Sequence, residues 1–250
     1  MRAGCPVSRL STWAASGPEE PLILAAPRRD AAIAVVITAV TAAVFAAAAN
    51  RTALSHIQRL DDSWLQLMIA NRTPAVTSVA KVFNVLGLVY VTLPVRLAIA
   101  GYLAVRRVWW HLAAFAAAVV LSEALIGPVK AIYGRARPPG SLVATSGASF
   151  PSGHAIATSV TVFAAVIALA PAGRRRVASG LAAAGFAILM GLSRAYLGAH
   201  WLSDAVAGLL LGTSCALLAA VVVDRAQHRR RRRRTPDAAL REAARPADRP

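Results

Sequence analysis

The run WLSDAVAGLLLGTSCALLAAVVV, residues 201–223, decides how the rest of the chain must be read. After Asp204 it carries no charge, and it has the length of a helix crossing a hydrocarbon core, which takes about 20 mostly apolar residues. Backbone polar groups in lipid must find partners within their own helix, so the run is expected to be a transmembrane α-helix. Five further apolar segments precede it, at residues 31–49, 82–105, 112–129, 154–171 and 177–192. Composition agrees, with 57% hydrophobic residues in 250 and a mean hydropathy of +0.54. The expected fold class is all-α, an integral membrane six-helix bundle over residues 30–224. Tails at 1–29 and 225–250 are expected to be disordered.

The formal charge of +17 invites a nucleic-acid reading, but its distribution points elsewhere. Ten arginines fall between Arg225 and Arg249, six of them in the run Arg229 to Arg234. A basic block after an apolar span anchors topology and touches anionic lipid, so no nucleic-acid partner is expected. With six spans both termini share one side. Nineteen lysines and arginines then fall on the side of the tails and seven on the other. The positive-inside rule places both termini in the cytoplasm. Cys5 precedes the first span and Cys215 lies in the last, so no disulfide is expected between them. The first 30 residues hold no long apolar core, and no cleavable signal peptide is expected.

Trp109, Trp110 and His111 read as an interfacial belt at the inner edge of the third span. Residues 60–70 mix polar and apolar side chains at helical spacing, as a short surface helix would, with Asp61 and Asp62 in its first turn. Arg96 is expected to snorkel to the cytoplasm.

Three polar stretches interrupt the apolar pattern: Lys130 with Arg137-Pro138, then Pro151-Ser152-Gly153-His154, then Ser193-Arg194 with His200 and Asp204. No span separates the first two, and two spans separate the second from the third, so all three return to the outer face. Ser152 is suited to cap the fourth span, Gly153 to close backbone approach, and a helix N-terminus there favours an anion. His200 and Asp204 are four residues apart on one helical face. A carboxylate bonded to Nδ1 would leave Nε2 free as a nucleophile. Lys130, Arg137 and Arg194 supply charge, the arginines as planar forks that match phosphate oxygens. Taken singly, each of these features has a plainer reading: a capped helix start, an interfacial His–Asp pair, a cation reaching for headgroups.

Together they read Lys-x6-Arg-Pro, Pro-Ser-Gly-His and Ser-Arg-x5-His-x3-Asp, with no departure. This resembles the type 2 phosphatidic acid phosphatase family, within the lipid phosphate phosphatase and vanadium haloperoxidase superfamily. The resemblance implies that His200 attacks phosphorus, Asp204 orients it, and His154 serves as general acid and then base. It assigns Lys130, Arg137, Ser152, Gly153 and Arg194 to the phosphoryl oxygens. Clustered cations can stabilise the transition state without a cofactor. The outward segments offer only Asp61, Asp62 and Asp204 as carboxylates, so no metal site is expected. Arg135 is an extra cation that could touch headgroups, support the site, or simply face solvent. Glu123, seven residues before Lys130, is expected to tether one of the phosphate-binding cations.

The expected activity is hydrolysis of a lipid phosphate or diphosphate at the outer leaflet: a polyprenyl diphosphate, phosphatidic acid or phosphatidylglycerol phosphate. A non-catalytic lipid-binding or transport protein on the same bundle is the rival, and it would be marked by loss of His154, His200 or Asp204. A vanadate-dependent peroxidase would be soluble, against six apolar spans.

Overall fold

Lipid gives helices no hydrophobic reason to associate, so a membrane bundle is held by close packing of small residues and by interhelical hydrogen bonds. The computed structural model, which describes residues 20–24 and 26–243 with side chains to 233, is built this way. Its described residues form eight helices and no strand: α1 (Pro27–Ala49), α2 (Arg51–Ala70), α3 (Pro74–Leu86), α4 (Val89–Val105), α5 (Trp109–Tyr133), α6 (Gly153–Leu169), α7 (Arg174–Tyr196) and α8 (Leu202–Ala243). α8 is the centre post, packed against α6, α5, α1 and α7. Along its α6 face a Cβ added to Gly208 would lie 2.6 Å from the Ser152 carbonyl oxygen, and one on Gly212 2.1 Å from Ser159 Oγ. These two glycines let the backbones of α6 and α8 touch. On the opposite side Thr41 and Ser214 share a buried hydroxyl–hydroxyl bond of 2.8 Å, joining α1 to α8.

Helices α1, α5, α7 and residues 202–233 of α8 are long and apolar enough to cross a membrane. α3 and α4 make a fifth candidate, bent by 53° at their junction, and α6 is a shorter apolar helix of 17 residues. The protein is a multi-pass membrane protein, and its outer surface is apolar, with Tyr90, Val105 and Ile132 exposed.

Several expectations need correction. The expected span 82–105 is broken, because α3 ends at Leu86, capped by Gly87, and α4 begins after Leu88. The expected short segment 177–192 is part of a 23-residue helix. The helix expected at 60–70 starts at Arg51, capped by Asn50, whose Oδ1 accepts from Ala53 N at 3.0 Å. Asp61 is therefore mid-helix and buried rather than in a first turn.

The described parts of the two expected tails, residues 20–24, 26–29 and 225–243, take part in the fold. α8 runs on to Ala243, and Asp224 and Gln227 on it are buried. Asp224 Oδ1 accepts from Leu24 N at 3.2 Å, and Gln227 donates to the Pro21 carbonyl at 3.1 Å. Glu20 Oε1 accepts from Trp110 N at 2.7 Å, satisfying a free N–H in the first turn of α5, and faces the buried His111. Arg2, Cys5, Arg9 and the side chains from Arg234 onward lie outside the described residues.

Filling the α6–α8 contact should be costly. Gly212→Val is expected to destabilise the detergent-solubilised protein by about 1–3 kcal/mol through overpacking. Gly101→Ala, which meets nothing within 4 Å, should melt like the parent. Equal thermal stability for Gly212→Val and the parent would contradict the contact.

Candidate active site

Gly134 ends α5 in the left-handed region, with φ 51°, a conformation that costs glycine little. The chain then enters the loop 135–152, which wraps the start of α6 and the α7–α8 junction. Lys130, in the last turn of α5, donates to the Ala148 carbonyl at 2.6 Å. Arg137 spans the loop: Nη1 donates to Ala199 O at 2.7 Å and to His200 Nε2 at 3.2 Å, and Nη2 to Ser146 O at 2.7 Å. Arg194, buried at the end of α7, donates Nη1 to Asn84 Oδ1, and His154 Nε2 lies 3.2 Å from the Asn84 carbonyl. All three sequence motifs thus meet at one end of the bundle.

The ring of His200 is 3% exposed and its tautomer is set by its neighbours. Nδ1 lies 2.7 Å from the Ser149 carbonyl, which can only accept, so Nδ1 carries the proton. Nε2 accepts from Arg137 and keeps its lone pair toward the cations. The carboxylate expected to bond Nδ1 makes no hydrogen bond to it, since Asp204 Oδ2 is 3.7 Å away. Burial first, then the charges of Arg137 and Arg194, lower the His200 pKa to about 4 against the opposing pull of Asp204. The unfolded chain therefore binds more protons between pH 6.5 and 4. The neutral ring's contribution to stability is complete above that window and is lost as pH falls through it.

Asp204 is wholly buried and takes four hydrogen bonds. Oδ2 accepts from Ser149 Oγ at 2.5 Å and Trp201 N at 2.9 Å. Oδ1 accepts from Arg135 Nη1 at 2.7 Å, and the Asp204 carbonyl accepts from Ser152 N at 3.0 Å. Arg135 in turn donates to Asp61 Oδ2 at 2.8 Å and lies over the Trp201 ring. Asp61 also accepts from Ser203 N at 2.9 Å. Arg135 is thus neither exposed nor among headgroups; it bridges two buried carboxylates. Ser149, Asp61, Asn84 and Ser203 went unread in sequence as site residues. Of these only Asn84, polar within an apolar run, gave a signal.

Two polar atoms here, Ser152 Oγ and Arg194 Nε, are buried without a hydrogen-bond partner. Ser152 is the residue before α6, but its hydroxyl does not cap the helix as expected. Such unpaired groups each cost about 1–3 kcal/mol, and with Lys130 and Arg137 they form a donor set suited to an anion. Among the described residues no three His, Cys, Asp or Glu side chains cluster as metal ligands would.

Residues 107–228 match the family model of the PAP2 superfamily, a stretch that contains all three motifs. Over that stretch the chain resembles the PAP2 superfamily. Its fold also matches solved structures. A transmembrane PAP2-type phosphatidylglycerolphosphate phosphatase from Bacillus subtilis is 26% identical, with a TM-score of 0.61, over 74% of this chain and 93% of that one. LpxE from Aquifex aeolicus is 22% identical, with a TM-score of 0.53, over 64% of this chain and 94% of that one, a likeness of fold. No curated protein matches.

Glu123 departs from expectation. Its partner is Arg96, at 2.7 Å, rather than a phosphate-binding cation. Arg96 does not snorkel to an interface, for its Nε also donates to Thr161 Oγ1 at 2.9 Å.

The Arg135 bridge is testable. Lysine keeps the charge but cannot fork between Asp61 and Asp204. Arg135→Lys is expected to lower kcat about 10–100-fold, the usual scale for a lost supporting contact, with little change in KM. A wild-type kcat would remove Arg135 from the site.

Proposed function

We propose that this chain hydrolyses a lipid phosphate or diphosphate through a covalent phosphohistidine. The observation that carries the reading is the meeting of an apolar groove with the anion site. A cavity of about 590 Å³ runs between α4, α5 and α6, walled by Leu93, Leu97, Phe115 and Val119, and ends at Gly153 and His154. At its head Gly87 leaves room for the His154 ring, because a Cβ there would lie 2.4 Å from His154 Cδ2. An amphiphile lying in this groove has its chains in apolar surroundings and its phosphate among Lys130, Arg137, Ser152, Gly153 and Arg194.

In the first step His200 Nε2 attacks phosphorus in line with the leaving oxygen. The P–O bond breaks as the N–P bond forms, and His154 gives the departing alkoxide or phosphate its proton. In the second step His154, now neutral, takes a proton from water as that water attacks phosphorus. The N–P bond breaks, His200 recovers its lone pair and inorganic phosphate departs. Throughout, Nδ1–H remains bonded to Ser149, so positive charge on the phosphorylated ring is met by Asp204. The cations hold charge on the equatorial oxygens.

Polyprenyl diphosphate, phosphatidic acid and phosphatidylglycerol phosphate all have the required form. The lysine and arginine asymmetry supports an active site on the outer face, with both termini cytoplasmic. The arginines of the α8 extension are suited to anionic lipid there.

The test is phosphate release in detergent from a panel of these lipids. Wild type should release phosphate and be inhibited by vanadate, while His200→Ala should fall to background at equal expression and melting temperature. Retained turnover in His200→Ala would contradict the mechanism.

A further inference from the structure

Apart from Thr92 and, at its head, His154, the groove is apolar except at one place. Arg96 from α4 and Glu123 from α5 both line it and form an ion pair of 2.7 Å. Arg96 is 9% exposed and fixed on the groove wall by α6, donating to Thr161 Oγ1 at 2.9 Å and to the Ala157 carbonyl at 3.3 Å. Glu123 is different: half of its side chain is exposed.

Such a pair is a poor choice for stability alone. Charges at membrane depth are costly, and replacing a buried pair by apolar side chains is often neutral or stabilising. Its place along the substrate path is more informative. Arg96 binds α6 between Ala157 and Thr161, one to two turns beyond His154. At 1.5 Å per residue that is about 5–10 Å deeper along the groove than His154. Glu123 lies a similar distance from Lys130 along α5.

A lipid whose phosphate occupies the cation cluster brings the groups a few bonds from phosphorus to this depth. In a glycerolipid those groups are ester carbonyls and hydroxyls. In a polyprenyl phosphate they are methylenes and double bonds, which would press against the half-exposed carboxylate and offer it no donor. Beyond its three bonds a guanidinium has further N–H donors for a carbonyl, and the carboxylate has lone pairs for a hydroxyl. Leaving such groups unmatched against hydrocarbon is how a polar site rejects an apolar ligand.

We propose that the Arg96–Glu123 pair is a specificity element that reads the hydrogen-bonding backbone of a glycerolipid phosphate and disfavours polyprenyl phosphates. The inference rests on the lipid phosphatase reading above and names its substrate class. Arg96 and Glu123 act on substrate selection; His200 and His154 act on phosphorus.

The experiment compares kcat/KM for dioctanoylglycerol phosphate and farnesyl phosphate, both monophosphates, in mixed micelles. The enzymes are wild type, the double variant Arg96→Met/Glu123→Leu, and Glu123→Gln, which keeps the volume and an acceptor for Arg96. Wild type should favour the glycerolipid. The double variant should lower the glycerolipid-to-farnesyl ratio by about tenfold or more, the worth of one charge-assisted hydrogen bond. Glu123→Gln should lower the same ratio by a smaller factor, and it carries the test if the double variant fails to insert. A ratio unchanged in the variants, or equal losses on both lipids, would overturn the specificity role while leaving the phosphatase reading in place. Absence of phosphate release from either lipid by wild type would overturn that reading and this inference with it.

Discussion

A carboxylate with no solvent exposure governs the geometry of this site. Asp204 is held by Arg135, Ser149 Oγ and Trp201 N, while its own backbone carbonyl holds Ser152. A buried charge of this kind is tolerable only when fully paired; removing a partner typically costs about 3–5 kcal/mol. Asp204 therefore ties the start of α8 to the loop after α5 and to the entry of α6. His200 inherits its position from that arrangement. Its proton is fixed by the Ser149 carbonyl, and Ser149 is itself fixed by Asp204. Asp204 thus reaches the imidazole through Ser149 rather than through a direct hydrogen bond.

The membrane sets the second constraint. With little hydrophobic drive between helices, α6 and α8 approach through Gly208 and Gly212. This contact brings Ser152 and Gly153 beside Asp204. The bend between α3 and α4 serves the same end from another side. It brings Asn84 against Arg194 and His154, and leaves at Gly87 the space that the His154 ring occupies. Beyond the bend α4 lines the groove together with α5 and α6.

Much of this was legible in the sequence because the signals are local. Apolar runs mark the membrane helices, and the spacing of Lys130, Arg137, His154, Arg194, His200 and Asp204 around them foretold their convergence. What stayed hidden depends on partners distant in the chain. Asp61 looked like a first-turn residue because the polar stretch before it masked a helix beginning at Arg51, and its partner Arg135 lies beyond three further helices. Glu123 and Lys130 share a helix, and that nearness suggested a link. The carboxylate instead pairs across the bundle with Arg96, a choice set by helix packing that spacing cannot reveal. The hydroxyl of Ser152 was read as a cap and is instead buried without a partner. α8 outlasts its apolar run, because arginines end the hydrophobic pattern without ending the helix.

The central claim is that the imidazole of His200, neutral and aimed by Ser149 and Asp204, forms a bond to phosphorus. Rapid quenching during turnover of a radiolabelled lipid phosphate, followed by peptide mapping, tests this most directly. The account predicts an adduct on His200 that is stable to base, labile to acid, and formed and lost at rates compatible with turnover. Turnover with no adduct on His200, or with the label on His154, would contradict it.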